Sequence, residues 1–188
     1  MRNTPMCWRR ATAALAALLL MSACTDPASG AAQAAPQALS DPCLTSDLTA
    51  TITLRPAQPD STVREALVAL TNATAATCSL NGWLTMTLIN AARQVVPVPA
   101  TKLDKPTQPT TFELEAGGVA YTGLKWISCE KTSASCPVGA NIRYSLSLTS
   151  DGPVATLTDF PTPKRTRITM SELRTGVLTP SSDQALTW

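Results

Sequence analysis

From residue 42 to residue 188 the apolar side chains come in short runs with a period of two, and that period admits strands while leaving no room for a long amphipathic helix. Residues 47–54 set Leu48, Ile52 and Leu54 on one face and Thr49, Thr51 and Thr53 on the other. Residues 66–71 form a compact apolar run that stops at Asn72. Residues 83–89 alternate again, with Leu84, Met86 and Leu88 against Thr85 and Thr87, and Trp83 on the face opposite Leu84. Residues 95–98 are broken by Pro97, which demotes them to an edge strand or bulge. A run at 112–116 meets the Gly117-Gly118 turn signal and continues as 119–127, where Ala120, Thr122, Leu124 and Trp126 share a face. Residues 143–148 place Tyr144, Leu146 and Leu148 together, and further strands are expected at 154–157 and 167–173. About seven to nine short strands in one domain-sized stretch predict an all-β fold, an antiparallel β-sandwich.

The N-terminus sets the compartment in which that domain is expected to fold. Arg2, Arg9 and Arg10 make a positive start, and 11–21 is an unbroken run of small and apolar residues. The run suits a signal peptide and is short of the roughly 20 residues that a permanent membrane helix needs. Met21-Ser22-Ala23-Cys24 follows, which resembles the bacterial lipobox. Residues 1–23 are therefore expected to be a lipoprotein signal peptide. Cys24 is the expected lipidation site, carrying covalent diacylglycerol and acyl chains in place of any other cofactor. Two or more chains anchor a protein stably, at about 0.8 kcal/mol per buried methylene, where one chain does not. Residues 24–41, rich in Ala, Pro and small polar residues, read as a flexible lipidated tether with a mean reach of roughly 20–25 Å. Residues 42–188 are the right size for one domain. The expected location is the outer face of the cell membrane.

Four cysteines fall within that domain: Cys43, Cys78, Cys129 and Cys136. An even number in an exported domain points to two disulfides, for which three pairings exist. The short, turn-rich loop between Cys129 and Cys136 favours their pairing, and elimination then joins Cys43 to Cys78. Zinc held by four thiolates is the alternative, at odds with an oxidising envelope, and the absence of Cys-x-x-Cys excludes a thioredoxin-like motif.

Charge and chemistry narrow the function further. Without the three arginines of residues 1–23, 12 basic side chains face 13 acidic ones, a balance that argues against nucleic acid as a partner. The chain has no histidine, which removes Ser-His-Asp and Cys-His catalysis and histidine metal sites. Ser128 and Lys131 match Ser-x-x-Lys, but the helix and the two further motifs of that chemistry have no counterpart. Glu113 and Glu115 share one face of a strand, the solvated one. Lys164, Arg165 and Arg167 form a basic cluster after Pro161 and Pro163, a solvated edge or a contact for anionic lipid or wall polymer.

Several of these features also resemble, taken together, a family of actinobacterial secreted proteins and lipoproteins with an Ig-like domain of unknown function. The likeness rests on Pro42-Cys43-Leu44 ahead of the first strand, Leu70-Thr71-Asn72, and Cys78-Ser79-Leu80-Asn81-Gly82. It continues with Gly117-Gly118 leading through Trp126 to Cys129, and it spans roughly residues 42–178. Trp83-Leu84 stands where that family has Tyr-Pro, and Cys136 is an addition to the family pattern, which suits a local bridge with Cys129. The resemblance implies an Ig-like sandwich and an envelope address, and it brings no catalytic residues. An antibody-type domain is excluded because Cys78 and Trp83 stand too close.

The leading expectation is a non-enzymatic, membrane-tethered binding or interaction module whose partner is an envelope protein, polymer or lipid. Trp83, Lys164, Arg165 and Arg167 are the candidate ligand or partner surface. A carrier or sensor of an apolar ligand such as envelope lipid, held between the sheets, is the alternative, and an enzyme is the third reading.

Overall fold

A computed structural model describes residues 39–160 and 168–188, and twelve short strands carry them. In chain order they are β1 (Leu48–Leu54), β2 (Val63–Asn72), β3 (Cys78–Leu80), β4 (Thr85–Ile89), β5 (Ala100–Lys102) and β6 (Phe112–Leu114). They continue with β7 (Val119–Ile127), β8 (Val138–Gly139), β9 (Asn141–Ser145), β10 (Thr156–Thr158), β11 (Ile168–Thr169) and β12 (Glu172–Thr175). The fold is all-β, as the period of two requires. The only helical turns among the described residues are 3-10 turns at Thr45–Asp47 and Gln184–Leu186.

Six strands form one sheet in the order β10-β1-β2-β7-β12-β5. Its four inner strands are antiparallel, and a parallel neighbour is added at each edge: β10 beside β1 and β5 beside β12. Register brings Ile52, Val68 and Thr122 into one row and Ala50, Leu70 and Ala120 into the next. All six are buried, so a slip of one residue would turn the whole set outward, and burial therefore fixes the pairing. Opposite lie the two-stranded pairs β3–β6, β4–β9 and β8–β11. Leu80, Leu84, Met86, Leu88, Leu114, Ile142 and Tyr144 from this side join the same core as Leu70 and Leu124 from the six-stranded sheet, making a β-sandwich. Each fully buried Leu or Ile contributes about 1.5–3 kcal/mol. The Tyr144 hydroxyl ties the layers by donating to the Leu48 carbonyl at 2.6 Å.

The two cystines secure the chain where strands are shortest. Cys43 is bonded to Cys78, and Cys129 to Cys136, the pairing favoured by loop length. Asn72 closes the end of β2. Its side chain is buried, and its amide donates to the carbonyls of Ala76, Leu114 and Glu115 at 2.7, 3.1 and 3.2 Å. Its Oδ1 accepts from the backbone N–H and hydroxyl of Thr74. Beside it, Gly118 N–H donates to Glu115 in a turn that needs Gly117 at φ +70°, a conformation open to glycine at little cost.

Three strand expectations are corrected. Of residues 95–98 only Val95 pairs, in a single bridge to Ile89, and the strand forms instead at Ala100–Lys102, beyond Pro97 and Pro99. The run at 143–148 ends at Ser145, where Ser147 N–H turns back to the Ser145 hydroxyl at 3.1 Å, leaving Leu148 86% exposed rather than beside Tyr144. The stretch 167–173 is two strands, because the chain leaves β8 and joins β7 between them: Met170 N–H bonds Pro137, and Ser171 N–H bonds Ile127.

Candidate functional site: a cleft at one end of the sandwich

At the end of the six-stranded sheet where β2 begins and β7 finishes, the inner face runs out from under the cover that the other described residues supply. Leu54, Arg64, Trp126 and Leu157 occupy inward positions on β1, β2, β7 and β10. Arg64 and Trp126 are direct cross-strand neighbours, one of the closest contacts a sheet offers. One step inward, Ala66 and Leu124 are fully buried, so the sheet passes from sealed core to open wall within one residue pair. Ala140, Phe160 and Ile168 face this wall, and the open space between them is about 730 Å³. That volume lies in the range of small-molecule sites, which combine an apolar lining with a few polar groups.

The aromatic part of the wall is ordered. Trp126 and Phe160 lie parallel, 3° apart in plane and 6.1 Å between centroids. The polar part is mostly committed to backbone. Ser128 N–H and hydroxyl both donate to the Thr62 carbonyl at 2.8 Å, pinning the exit of β7 to the entry of β2. The Ser61 hydroxyl accepts from Val63 N–H at 3.1 Å. The Arg64 guanidinium donates through Nη1 to the carbonyls of Ser61 and Val63. Among the described residues it has no carboxylate partner; the ion pairs there are Lys125–Glu65 and Arg174–Glu172. Asp60, Glu130 and Lys131 stand around the opening on exposed loops, and Cys129 brings the short cystine into the wall.

The residues singled out from sequence fall in different places. Cys24, Lys164, Arg165 and Arg167 lie outside the described residues. Trp83 is half-buried, and its indole N–H donates to the Leu103 carbonyl at 2.9 Å, which fastens the loop after β5; it does not line the cleft. Ser128 and Lys131 both line it, with the serine just after β7 and its hydroxyl already donated. Glu113 and Glu115 are exposed, and Glu113 accepts from Ser40 N–H at 2.9 Å. Arg64, Leu157 and Phe160 were not singled out. Arg64 stands in the inward phase of 64, 66, 68, 70 and 72, opposite an inward tryptophan, a phase that the unbroken apolar run at 66–71 does not show in the sequence.

Two groups away from the cleft are shifted in acidity. Burial pushes the Tyr144 phenol up, partly offset by a hydrogen bond from the Ala50 backbone. Burial also lowers Lys102, whose Nζ donates to the Thr85 hydroxyl at 3.2 Å. Among the described residues no group of three or more His, Cys, Asp and Glu is placed to hold a metal ion. No helix there is long and apolar enough to cross a membrane.

A family model described as "Domain of unknown function (DUF4232)" matches residues 43–178, from the first cysteine of the long bridge to the end of the core. No curated protein and no solved structure matches the chain.

Proposed function

We infer that this chain, which belongs to the DUF4232 family, is a membrane-anchored lipoprotein of the cell envelope whose sandwich is a non-catalytic binding domain with its site in the end cleft. The anchor rests on the sequence around Cys24: a positive start, a short apolar run, two small residues and a cysteine in register. The binding reading rests on one observation, a cleft of about 730 Å³ in which an ordered aromatic pair stands beside an arginine without a carboxylate partner among the described residues. Such a combination of apolar area and one convergent polar group is what small-ligand sites are made of. The chain's lack of histidine and the engagement of the Ser128 hydroxyl favour binding over turnover.

A carrier or sensor of an apolar envelope ligand is the second reading. It is favoured by the position of the cleft, which opens on the inner face of the six-stranded sheet rather than on an outer surface.

Two measurements test the two halves. Mass spectrometry of the mature protein is expected to find Cys24 at the N-terminus bearing diacylglycerol; an unmodified residue 24 or cleavage elsewhere overturns the anchor. Crosslinking in intact cells, followed by purification of the lipidated protein, is expected to recover one dominant molecule joined at cleft residues. Adducts scattered over the surface with none at the cleft overturn the binding site.

A further inference from the structure

The cleft's two kinds of wall meet at one residue pair, and that juxtaposition limits what fits. Trp126, Phe160, Leu157 and Ile168 give a continuous apolar side. Arg64, directly across the strand pair from Trp126, gives a cation on the same inward face. Unlike Lys131, which is exposed, Arg64 is half-buried, so its charge is screened less by water and salt. The exposed acids at the opening, Asp60 and Glu130, are solvated and have no ion pair with it. Its Nη1 donates to the backbone carbonyls of Ser61 and Val63. Among the described residues its Nε and Nη2 donors make no hydrogen bond, while the neighbouring hydroxyls of Ser61 and Ser128 are taken.

A half-buried guanidinium with donors to spare suits a carboxylate or phosphate, which it can meet with two parallel bonds. An apolar wall running away from that point suits a hydrocarbon chain. Resting on the reading of the cleft as the binding site, we propose that it takes an anionic amphiphile, with the acidic head at Arg64 and the chain along Trp126, Phe160 and Leu157. The shared chemistry is an acyl or alkyl chain ending in an anion; a free fatty acid and a phosphate-headed lipid are its two sources.

The test uses the full lipidated chain in non-ionic detergent and three photoreactive probes with the same diazirine-bearing alkyl chain, ending in carboxylate, phosphate or alcohol. Adducts are mapped by peptide mass spectrometry. The carboxylate or the phosphate probe is expected to label peptides containing Trp126 or Phe160 at least about tenfold more than the alcohol, the ratio that one charge-assisted hydrogen bond supports. Whichever acid labels more strongly names the source. Arg64→Gln is expected to bring the acid down to the level of the alcohol, and Leu157→Glu to lower labelling by all three. Loss of the Cys129–Cys136 bridge or of cooperative unfolding in Arg64→Gln would move the decision to Arg64→Lys, which keeps the charge without the fork and is expected to retain only part of the preference. Equal labelling by all three probes, unchanged in Arg64→Gln, overturns the anionic ligand and leaves the cleft as a binding site. Absence of cleft labelling by any probe, while crosslinking in cells still captures a molecule there, overturns the amphiphile alone. Absence of both overturns the binding site as well.

Discussion

Trp126 and Phe160 lie face to face, 3° from parallel with their centroids 6.1 Å apart, and this pair joins the end of β7 to the chain that follows β10. Trp126 is almost fully buried and Phe160 half-buried, so the phenylalanine is the lid of the tryptophan's environment. Aromatic pairs add about 0.5–1.5 kcal/mol beyond the area they bury. Phe160→Ala is expected to lower stability by at least about 1 kcal/mol and to flatten the near-ultraviolet circular dichroism of Trp126. An unchanged spectrum would show that the two rings are not coupled.

Asn72 is the polar centre of the core. Its removal takes one donor from each of the Ala76, Leu114 and Glu115 carbonyls and the acceptor from the Thr74 N–H, around a side chain that is buried. Asn72→Ala is expected to cost about 2–3 kcal/mol in urea unfolding, since buried unsatisfied groups carry their full desolvation penalty. Asn72→Asp keeps the shape and the acceptor but turns a carboxylate toward those carbonyls, so at neutral pH it should cost no less. A variant of either kind with the original midpoint would remove Asn72 from this role.

The two cystines close loops of different length, 35 and 7 residues. On the chain-entropy account the first restricts the unfolded chain by about 3.8 kcal/mol and the second by about 2.4. Cys43→Ala with Cys78→Ala should therefore destabilise more than Cys129→Ala with Cys136→Ala, by roughly 1.4 kcal/mol in denaturant titrations. The reverse order would mean that native packing at the cleft wall, rather than loop closure, dominates the short bridge.

Tyr144 gives the fold a dependence on alkali. Its phenol is pushed up by burial, so the folded protein holds the proton at a pH where the unfolded chain has lost it. Stability from this group is complete below about pH 10, the ordinary phenol value, and falls as pH rises from there through the folded pKa. Tyr144→Phe should lose that decline and, at neutral pH, cost about 1 kcal/mol for the bond to Leu48. Thermal melts of both proteins between pH 8 and 11 check the sign; identical slopes would rule out Tyr144 as its source.

How much of this was legible in the sequence depended on length and phase. The long alternating runs at 48–54 and 119–127 could be read directly, because seven or more residues are enough to show which phase is buried. β3, β5 and β8, at two or three residues, are too short to show a period and exist only through their partners. The crossing between β11 and β12 shows as a change of phase: Ile168 and Met170 point inward in one, Leu173 and Thr175 in the other. The cystine pairing was favoured by the short, turn-rich loop between Cys129 and Cys136, with Cys43 and Cys78 left to pair by elimination. The cleft did not, since Phe160 and Ile168 meet Trp126 only through tertiary packing. Nor did Arg64, since the run at 66–71 is apolar in both phases and its inward position appears only in the register with β7.

The most direct test of the binding site replaces Phe160 with a photoreactive phenylalanine in intact cells, and compares it with the same substitution at Glu113, which is exposed and does not line the cleft. The position in the cleft is expected to yield one dominant adduct that the position on β6 does not. Identical adduct patterns from the two positions, or a dominant adduct from Glu113 alone, would contradict a binding site at the end of the sandwich.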